Sequence, residues 1–332
     1  MGNKIGSTVI AGVIVLTVAL AYALTLLRLR KTWDQIEPIP KVGEPVAVSL
    51  IVVFRNEEAD LPALLTSIEN QDYPVDLLEV ILVDDGSTDA SFDLVSEYAK
   101  SSRFEVIGEQ LTNHGRTGKK AGIQLAVERA KNDRIVVTDA DCTMPKNWLA
   151  TITRSSADFA SGPVCYHSRK SIWAHMVELD LISLSVLGGC TIQMNRPNLA
   201  NGANMSFSRS TFFKVGGYSS NETIPSGDDV FLLMRIASQP NTTIQFVKSD
   251  EAIVSTQMVD SFKAFVNQRI RWAGKTRFSA GAESQRITWV LFMTYGVFFS
   301  TPFLAVFFAN VDTLTLILLA WVIKIAADAS FF

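Results

Sequence analysis

A chain of 332 residues with 30 Lys and Arg against 33 Asp and Glu carries a formal net charge of −3, which argues against a nucleic-acid binder working through a basic face. Charged residues make up 19% of it and mean hydropathy is +0.22, too few charges for an ordinary soluble domain at about 25% and too apolar for a disordered chain. Its cysteines, Cys142, Cys165 and Cys190, form no CxxC pair, so neither a disulfide framework nor a zinc cluster is expected, and a reducing compartment suits them.

The apolar excess lies at the ends. Ile5 to Leu27 is a run of 23 uncharged residues, enough at about 1.5 Å per residue to cross a hydrocarbon core of roughly 30 Å. Residues 5–27 are therefore expected to form a transmembrane helix. Arg28, Arg30 and Lys31 follow it and outnumber Lys4 on the other flank. That order marks an uncleaved anchor, and the positive-inside rule puts the domain after it in the cytoplasm. Ile287 to Val311 is a second uncharged run, of 25 residues, bounded by Arg286 and Asp312 and interrupted by Pro302; residues 287–311 should return across the membrane. After a tight turn at Asn310-Val311-Asp312, residues 313–332 are expected to cross again, with Lys324 and Asp328 on one helical face. The end at Phe331-Phe332 lacks a polar tail, so the native chain is expected to continue.

Between these segments, residues 46–258 have the size and composition of a soluble domain. An apolar run Val46 to Phe54, a helical stretch Ala59 to Asn70 and a second run Leu78 to Val83 make a β-α-β unit that ends at Asp84-Asp85-Gly86-Ser87. Further helices near Asp89 to Lys100 and Lys119 to Lys131 alternate with strands at Phe104 to Ile107 and Arg134 to Thr138, the last ending at Asp139-Ala140-Asp141. Short apolar strands alternating with helices predict an α/β fold with a doubly wound, mostly parallel sheet, whose ligands bind at the carboxyl ends of the strands. Both acidic motifs fall at such ends. Neither GxGxxG nor GxxxxGK[ST] is present, which weakens dinucleotide and P-loop readings.

Asp139 and Asp141, one residue apart after a strand, suit a hard divalent cation such as Mg²⁺ or Mn²⁺ that also holds a diphosphate. Taken alone, such a pair is more often a solvated turn. Asp84 and Asp85 repel each other unless a ligand donor such as a uracil N–H offsets the charge, whereas Ser87 and Asp89 are explained by helix capping. Gly115-Arg116-Thr117-Gly118-Lys119-Lys120 joins glycines to cations ahead of a helix, a candidate diphosphate contact or simply a basic loop. Gly227-Asp228-Asp229 precedes a helical stretch Val230 to Ile236. Either carboxylate could cap that helix, or act as a general base on an acceptor hydroxyl. Residues 259–284, with Gln268-Arg269-Ile270-Arg271-Trp272 among Phe262, Phe265 and Val266, read as an amphipathic helix lying on the membrane, whose Arg271 and Trp272 offer a diphosphate clamp and an aromatic sugar platform.

The ordered set DDGS, DAD, GDD and QRIRW at 84, 139, 227 and 268 resembles the membrane-bound inverting family-2 glycosyltransferases, which include cellulose, chitin and hyaluronan synthases and ceramide glucosyltransferases. The resemblance runs from about Val46 to Trp272 and extends to the flanking anchors. It implies a GT-A-like fold with flanking transmembrane helices and an interfacial helix, in an integral membrane protein of a bacterial inner membrane with a cytoplasmic catalytic domain. It further implies that Asp84 and Asp85, with Phe54, Arg55, Asn56 and Glu57 lining the same pocket, hold the donor nucleotide. Lys119 matches the family's GK element, Asp139 and especially Asp141 would hold Mg²⁺ or Mn²⁺ and the diphosphate, and Asp229 would be the base. Gln268, Arg271 and Trp272 match the QxxRW motif, while Gly202, Asn204 and Asp228, with Trp272, fall where the family approaches its acceptor. Arg55 departs from the pattern, since the family often has an aromatic residue there. The implied reaction moves a sugar with inversion from a nucleoside diphosphate sugar, UDP-linked, to a membrane-associated lipid or glycan acceptor, with no nucleic-acid partner.

Two other readings use the same residues. Asp139-Ala140-Asp141-Cys142-Thr143 also fits the DxDxT nucleophile loop of haloacid-dehalogenase-like phosphatases, which would phosphorylate Asp139; that loop usually opens its domain, and here β-α units precede it. A noncatalytic nucleotide-sugar-binding subunit is the third reading. The histidines, His114, His167 and His175, lack metal-ligand spacing, and Gly216-Gly217-Tyr218 reads as a turn.

Overall fold

In the computed structural model, residues 2–40, 43–167, 170–218, 228–279, 282–307 and 311–331 are described. The chain opens with a long helix, α1 (Gly2–Asp34), and then alternates: β1 (Val48–Phe54), α2 (Leu61–Glu69), β2 (Leu78–Asp84), α3 (Ser91–Ser101), β3 (Glu105–Gln110), α4 (Lys119–Arg129), β4 (Arg134–Asp139). Every residue of β1 and β2 is buried. Strands buried on both faces read as continuous apolar runs because helices cover the two sides of a parallel sheet. Successive side chains of β1 point to opposite faces, so Leu50, Val52 and Phe54 enter one core with Leu64 and Trp148, while Ile51 and Val53 enter another with Ile123, Phe207 and Phe212.

The remaining elements of this unit are β5 (Cys142–Thr143), α5 (Trp148–Thr153), β6 (Phe159–Ser161), β7 (Val164–Tyr166), α6 (Ile172–Gln193), β8 (Met205–Ser208), α7 (Arg209–Lys214), α8 (Asp228–Ala237), β9 (Ile244–Phe246), β10 (Val254–Thr256) and α9 (Phe262–Ser279). The main sheet has the order β3-β2-β1-β4-β8-β6-β9, and a small second sheet the order β5-β10-β7. β3, β2, β1 and β4 are parallel, and β8 runs antiparallel to β4 and β6. The doubly wound, mostly parallel α/β fold expected from the alternation is present, with helix and strand limits shifted by a few residues.

α6 was not foreseen. Among the described residues, three helices are long and apolar enough to cross a membrane: Val9–Asp34, Ile172–Gln193 and Val311–Phe331. The second of these is α6, whose Ala174, Val177, Leu181 and the run Gly188 to Ile192 are buried within the unit Ile36–Ser279. Much of its apolar character therefore serves packing against β7 and β9.

The terminal segments form a second unit, Met1–Gln35 with Ala280–Phe332. It contains α1, α10 (Ala282–Phe307) with Pro302 inside it, and α11 (Val311–Phe331). Val15, Ala19, Phe298 and Ala320 make its centre. Lys324 Nζ donates to Asp328 Oδ2 at 2.6 Å, and Tyr22 Oη donates to Asp328 Oδ1 at 2.6 Å, so the charged pair on α11 also ties that helix to α1. The tight turn expected at Asn310-Val311-Asp312 is corrected in part: Val311 and Asp312 belong to the first turn of α11, where an acidic residue suits the helix N-terminus, and Asn310 lies outside the described residues.

Gly122 shows how closely helix and strand meet beneath the site. A Cβ there would stand 2.7 Å from Val53 Cγ1, so only glycine lets α4 approach β1 at this point. Gly122→Ala should destabilise the protein by about 1–3 kcal/mol through overpacking, read as a lower thermal midpoint in detergent. An unchanged midpoint would show that Val53 yields without cost.

Candidate active site

The parallel register brings three strand ends level. Phe54 pairs with Asp84 and Val53 with Asp139, so the loops after β1, β2 and β4 open side by side. Hydrogen bonds stitch the first two loops together. Ser87 Oγ accepts from Asn56 N at 2.9 Å, Asn56 Oδ1 accepts from Thr88 N at 2.8 Å, and Ser91 Oγ accepts from Glu57 N at 2.8 Å. Asn56 has φ +55°, a left-handed conformation that asparagine tolerates better than most residues. This clasp leaves Arg55 exposed and turns Glu57 inward to half-burial.

Asp84 is 2% exposed and its Oδ1 accepts from Ser87 N at 2.8 Å. It shapes the turn beside Asp85, its partner in the expected nucleotide-binding pair. Asp85 Oδ1 accepts from Gly118 N at 2.6 Å, where Gly118 has φ +90°, so this carboxylate pins the glycine-rich loop at the start of α4. Lys119 Nζ then reaches Asp139 Oδ1 at 2.5 Å. The loop's cation thus rests on the first carboxylate of the DxD.

Asp141 lies just beyond, at the start of β5. Its Oδ2 accepts from Thr256 Oγ1 at 2.9 Å. Burial first, and the Asp139 charge second, push its pKa above the ordinary carboxylate value. Glu57 is pushed up to about 7, by burial first and then by Asp141, Asp60, Asp139 and Asp89. Crowded carboxylates of this kind mark functional sites more often than structural ones. No set of three His, Cys, Asp or Glu side chains converges on a cation position among the described residues. The pair Asp139 and Asp141 fits a hard cation that takes one or two carboxylates and completes its shell with phosphate oxygens and water.

Asp229 approaches from the other side of β4. Thr138 Oγ1 donates to Ala203 O at 2.8 Å, and the neighbouring Gly202 N donates to Asp229 Oδ2 at 3.1 Å, so one loop links the end of β4 to the first turn of α8. Asp228 opens α8; its side chain, with Gly227, lies outside the described residues. Asn204 is 0% exposed. Its Oδ1 accepts from Trp148 Nε1 at 3.0 Å, and its Nδ2 donates to Pro163 O at 2.8 Å and to Ala252 O at 2.7 Å. Its side chain joins three segments of the core, at the base of the loop expected to meet the acceptor. Gly202, its neighbour in the loop, is the residue that borders Asp229.

On α9, Gln268 Oε1 accepts from Tyr166 Oη at 3.1 Å. Trp272 packs against the core, its ring 4.1 Å from the guanidinium of Arg269, which also pairs with Asp180 of α6. Arg271 is exposed. Tyr166, Arg269, Asp180 and Thr256 were missed as site residues in the sequence, whereas Asn56 was expected to line the donor pocket. Asn56, beside Arg55 and Glu57, carried a local signal; Thr256 and Tyr166 reach partners more than a hundred residues away.

Residues 49–170 match the family model described as glycosyl transferase family 2, and residues 134–330 match that of glycosyl transferase family group 2. This chain belongs to glycosyltransferase family 2. The glycosyltransferase is 28% identical over 184 residues to undecaprenyl-phosphate 4-deoxy-4-formamido-L-arabinose transferase of Aeromonas hydrophila, a match covering 51% of this chain and 54% of the relative. It is 27% identical over 180 residues to the enzyme of the same name from Pseudomonas paraeruginosa, covering 51% of this chain and 52% of that one. The chain thus spans about half the length of these relatives. Among solved structures, mannosyltransferase PcManGT from Pyrobaculum calidifontis, in complex with GDP-Man and Mn²⁺, shares the GT-A-like fold with a TM-score of 0.66 and 18% identity over 98% of both chains. Membership of the family sets aside the haloacid-dehalogenase-like reading of Asp139.

Two measurements follow from this geometry. Glu57 binds its proton more tightly folded than unfolded, so the stability this lends is fully present below about pH 4.5 and is lost as pH rises through about 7. In metal-free glycosyltransferase, Glu57→Gln should therefore melt above wild type at about pH 8 and lose that advantage near pH 4.5; parallel melting curves across this range would refute the crowding. Asn204→Ala should destabilise the enzyme by about 1–3 kcal/mol, because it leaves Trp148 Nε1 and the Ala252 carbonyl without this partner, while Pro163 O keeps its bond from Val254 N. An acceptor-binding defect at wild-type thermal stability would restore Asn204 to the site.

Proposed function

We propose that the protein transfers a sugar with inversion from a nucleoside diphosphate sugar, UDP-linked, to a membrane-associated acceptor at the cytoplasmic face. The observation that carries the proposal is the alignment of Glu57, Asp85, Asp139 and Asp141 at neighbouring strand ends, with Asp229 tied through Gly202 to the same end of β4. In this reading Asp85 and the Gly118 loop hold the donor, with Arg55 at the rim. Asp139 and Asp141 hold Mg²⁺ or Mn²⁺, which when bound offsets charge on the diphosphate leaving group. Lys119 then exchanges part of its contact with Asp139 for the diphosphate, to which Arg271 adds a second cation. Gln268 and Trp272 close the donor pocket, and Trp272 gives the sugar an apolar platform.

Asp229 takes the proton from the acceptor nucleophile as it attacks the anomeric carbon on the face opposite the diphosphate. One displacement inverts the centre, and no covalent sugar-enzyme intermediate forms. The Gly202 amide orients the base by holding its Oδ2. An acceptor entering beside Gly202 and Asp228 reaches that carboxylate. Intact acidic residues in all these places argue for catalysis over a noncatalytic subunit. The general-base role of Asp229 belongs to an acceptor that presents a hydroxyl; the names of the Aeromonas and Pseudomonas relatives offer a polyprenyl phosphate as a second acceptor class, whose phosphate oxygen is largely ionised near pH 7 and would need positioning and no base. α9 carries exposed Phe262 and Ile270 beside Lys263 and Arg271, and residues 280 and 281 alone separate it from α10, which supports an interfacial position for this helix.

The test uses membranes containing the protein, a panel of labelled UDP- and GDP-sugars, and lipid extraction of products. Wild type should place label in a lipid fraction, and purified Asp229→Asn should lose transfer by about 10²–10⁴-fold while still binding nucleotide. Equal turnover by Asp229→Asn would remove it as the base. Label from GDP-sugars alone would replace the UDP assignment.

A further inference from the structure

We propose that Thr256 is a positioning residue for Asp141, holding that carboxylate in the plane from which it binds the divalent cation; this rests on the metal-binding reading above. Thr256 ends β10, the central strand of the small sheet. The register sets it opposite Cys142 on one side and Tyr166 on the other. Its carbonyl accepts from His167 N at 3.0 Å, so its backbone is anchored independently of its side chain. From that base Thr256 Oγ1 donates to Asp141 Oδ2 at 2.9 Å, and Cys142 Sγ stands 3.5 Å from Oδ1.

The need for such a tether follows from charge. Asp139 and Asp141 repel each other, and Lys119 contacts Asp139. Left to itself, the Asp141 carboxylate lowers its energy by rotating away from Asp139. A hydroxyl donor on Oδ2 opposes this, because it fixes the rotation. A β-branched threonine is suited to the task, since its restricted χ1 points the hydroxyl in a defined direction. Partners of this kind, one shell out from a metal ligand, typically change metal affinity by 10–100-fold. The same sheet carries Tyr166, whose hydroxyl holds Gln268, so Asp141 and the QRIRW helix share one support.

The test is Mn²⁺ binding to the full chain in detergent, followed by electron paramagnetic resonance, alone and with UDP or GDP present. Thr256→Val keeps the branched shape and removes only the hydroxyl, Thr256→Ser keeps the hydroxyl, and Asp141→Ala removes the carboxylate. Thr256→Val should raise the half-saturating Mn²⁺ concentration about tenfold or more, with Thr256→Ser close to wild type and the thermal midpoint little changed. Wild-type Mn²⁺ affinity in Thr256→Val, beside lost binding in Asp141→Ala, would overturn the positioning role and leave the metal reading intact. Wild-type affinity in Asp141→Ala would overturn the metal reading, and the role of Thr256 with it. If Thr256→Val does not fold, Thr256→Ala decides: a loss of Mn²⁺ affinity of about tenfold or more that Thr256→Ser does not share supports the hydroxyl tether, and wild-type affinity in Thr256→Ala overturns it.

Discussion

Crowding of carboxylates at the carboxyl ends of buried parallel strands is the constraint on which the site depends. Glu57, Asp85, Asp139 and Asp141 are brought level by backbone register, and each must be accommodated where water is partly excluded. The fold supplies a donor for each cost it can meet locally: the Gly118 amide for Asp85, Lys119 for Asp139 and the Thr256 hydroxyl for Asp141. What it leaves unneutralised is the charge shared by Glu57 and Asp141. A site in that condition is electrostatically matched to a cation and to a ligand that brings one.

The surrounding architecture maintains this arrangement. Gly122 lets α4 settle onto β1, which delivers Gly118 and Lys119 at the right height. The clasp between the loops after β1 and β2 holds Glu57 against the acidic pair. Asn204 binds Trp148, Pro163 and Ala252 from within the core, and a Cβ on Gly162 would stand 2.4 Å from its Nδ2, so the loop carrying Gly202 is fixed by packing on its buried side. Asp229 is thereby referred to the strand that carries Asp139. In the terminal unit a different interaction dominates: Asp328 accepts from both Lys324 and Tyr22, a polar contact among apolar helices that specifies how α1 and α11 pair.

Much of the fold was legible because its signals are local. The apolar runs of β1, β2 and β4, the helices between them and the uncharged terminal stretches each announce themselves within a dozen or two residues. α6 was not legible, since its glycines and scattered Glu178 and Asp180 obscure a helix whose apolar face becomes intelligible only against β7 and β9. Within the site, hydrogen bonds link Asp85 to the Gly118 loop, Lys119 to Asp139 and Gly202 to Asp229. The burial of Asp84 and Asn204 was not legible, because nothing in a short motif reports burial.

The sequence by itself determined the class of the protein: a doubly wound α/β domain between apolar helices, with acidic motifs at strand ends that belong to family-2 glycosyltransferases. The domain and its apolar flanks depend on composition and periodicity, which the chain carries along its length, and the family reading on the resemblance of its ordered motifs. Only the tertiary structure decided which carboxylates face one another, which are consumed in turns or cores, and which distant hydroxyls and amides orient them. Thr256 and Asp141 are 115 residues apart and meet at 2.9 Å because β10 inserts between β5 and β7. Such a meeting is a property of strand order, and strand order is settled by the packing of the whole sheet.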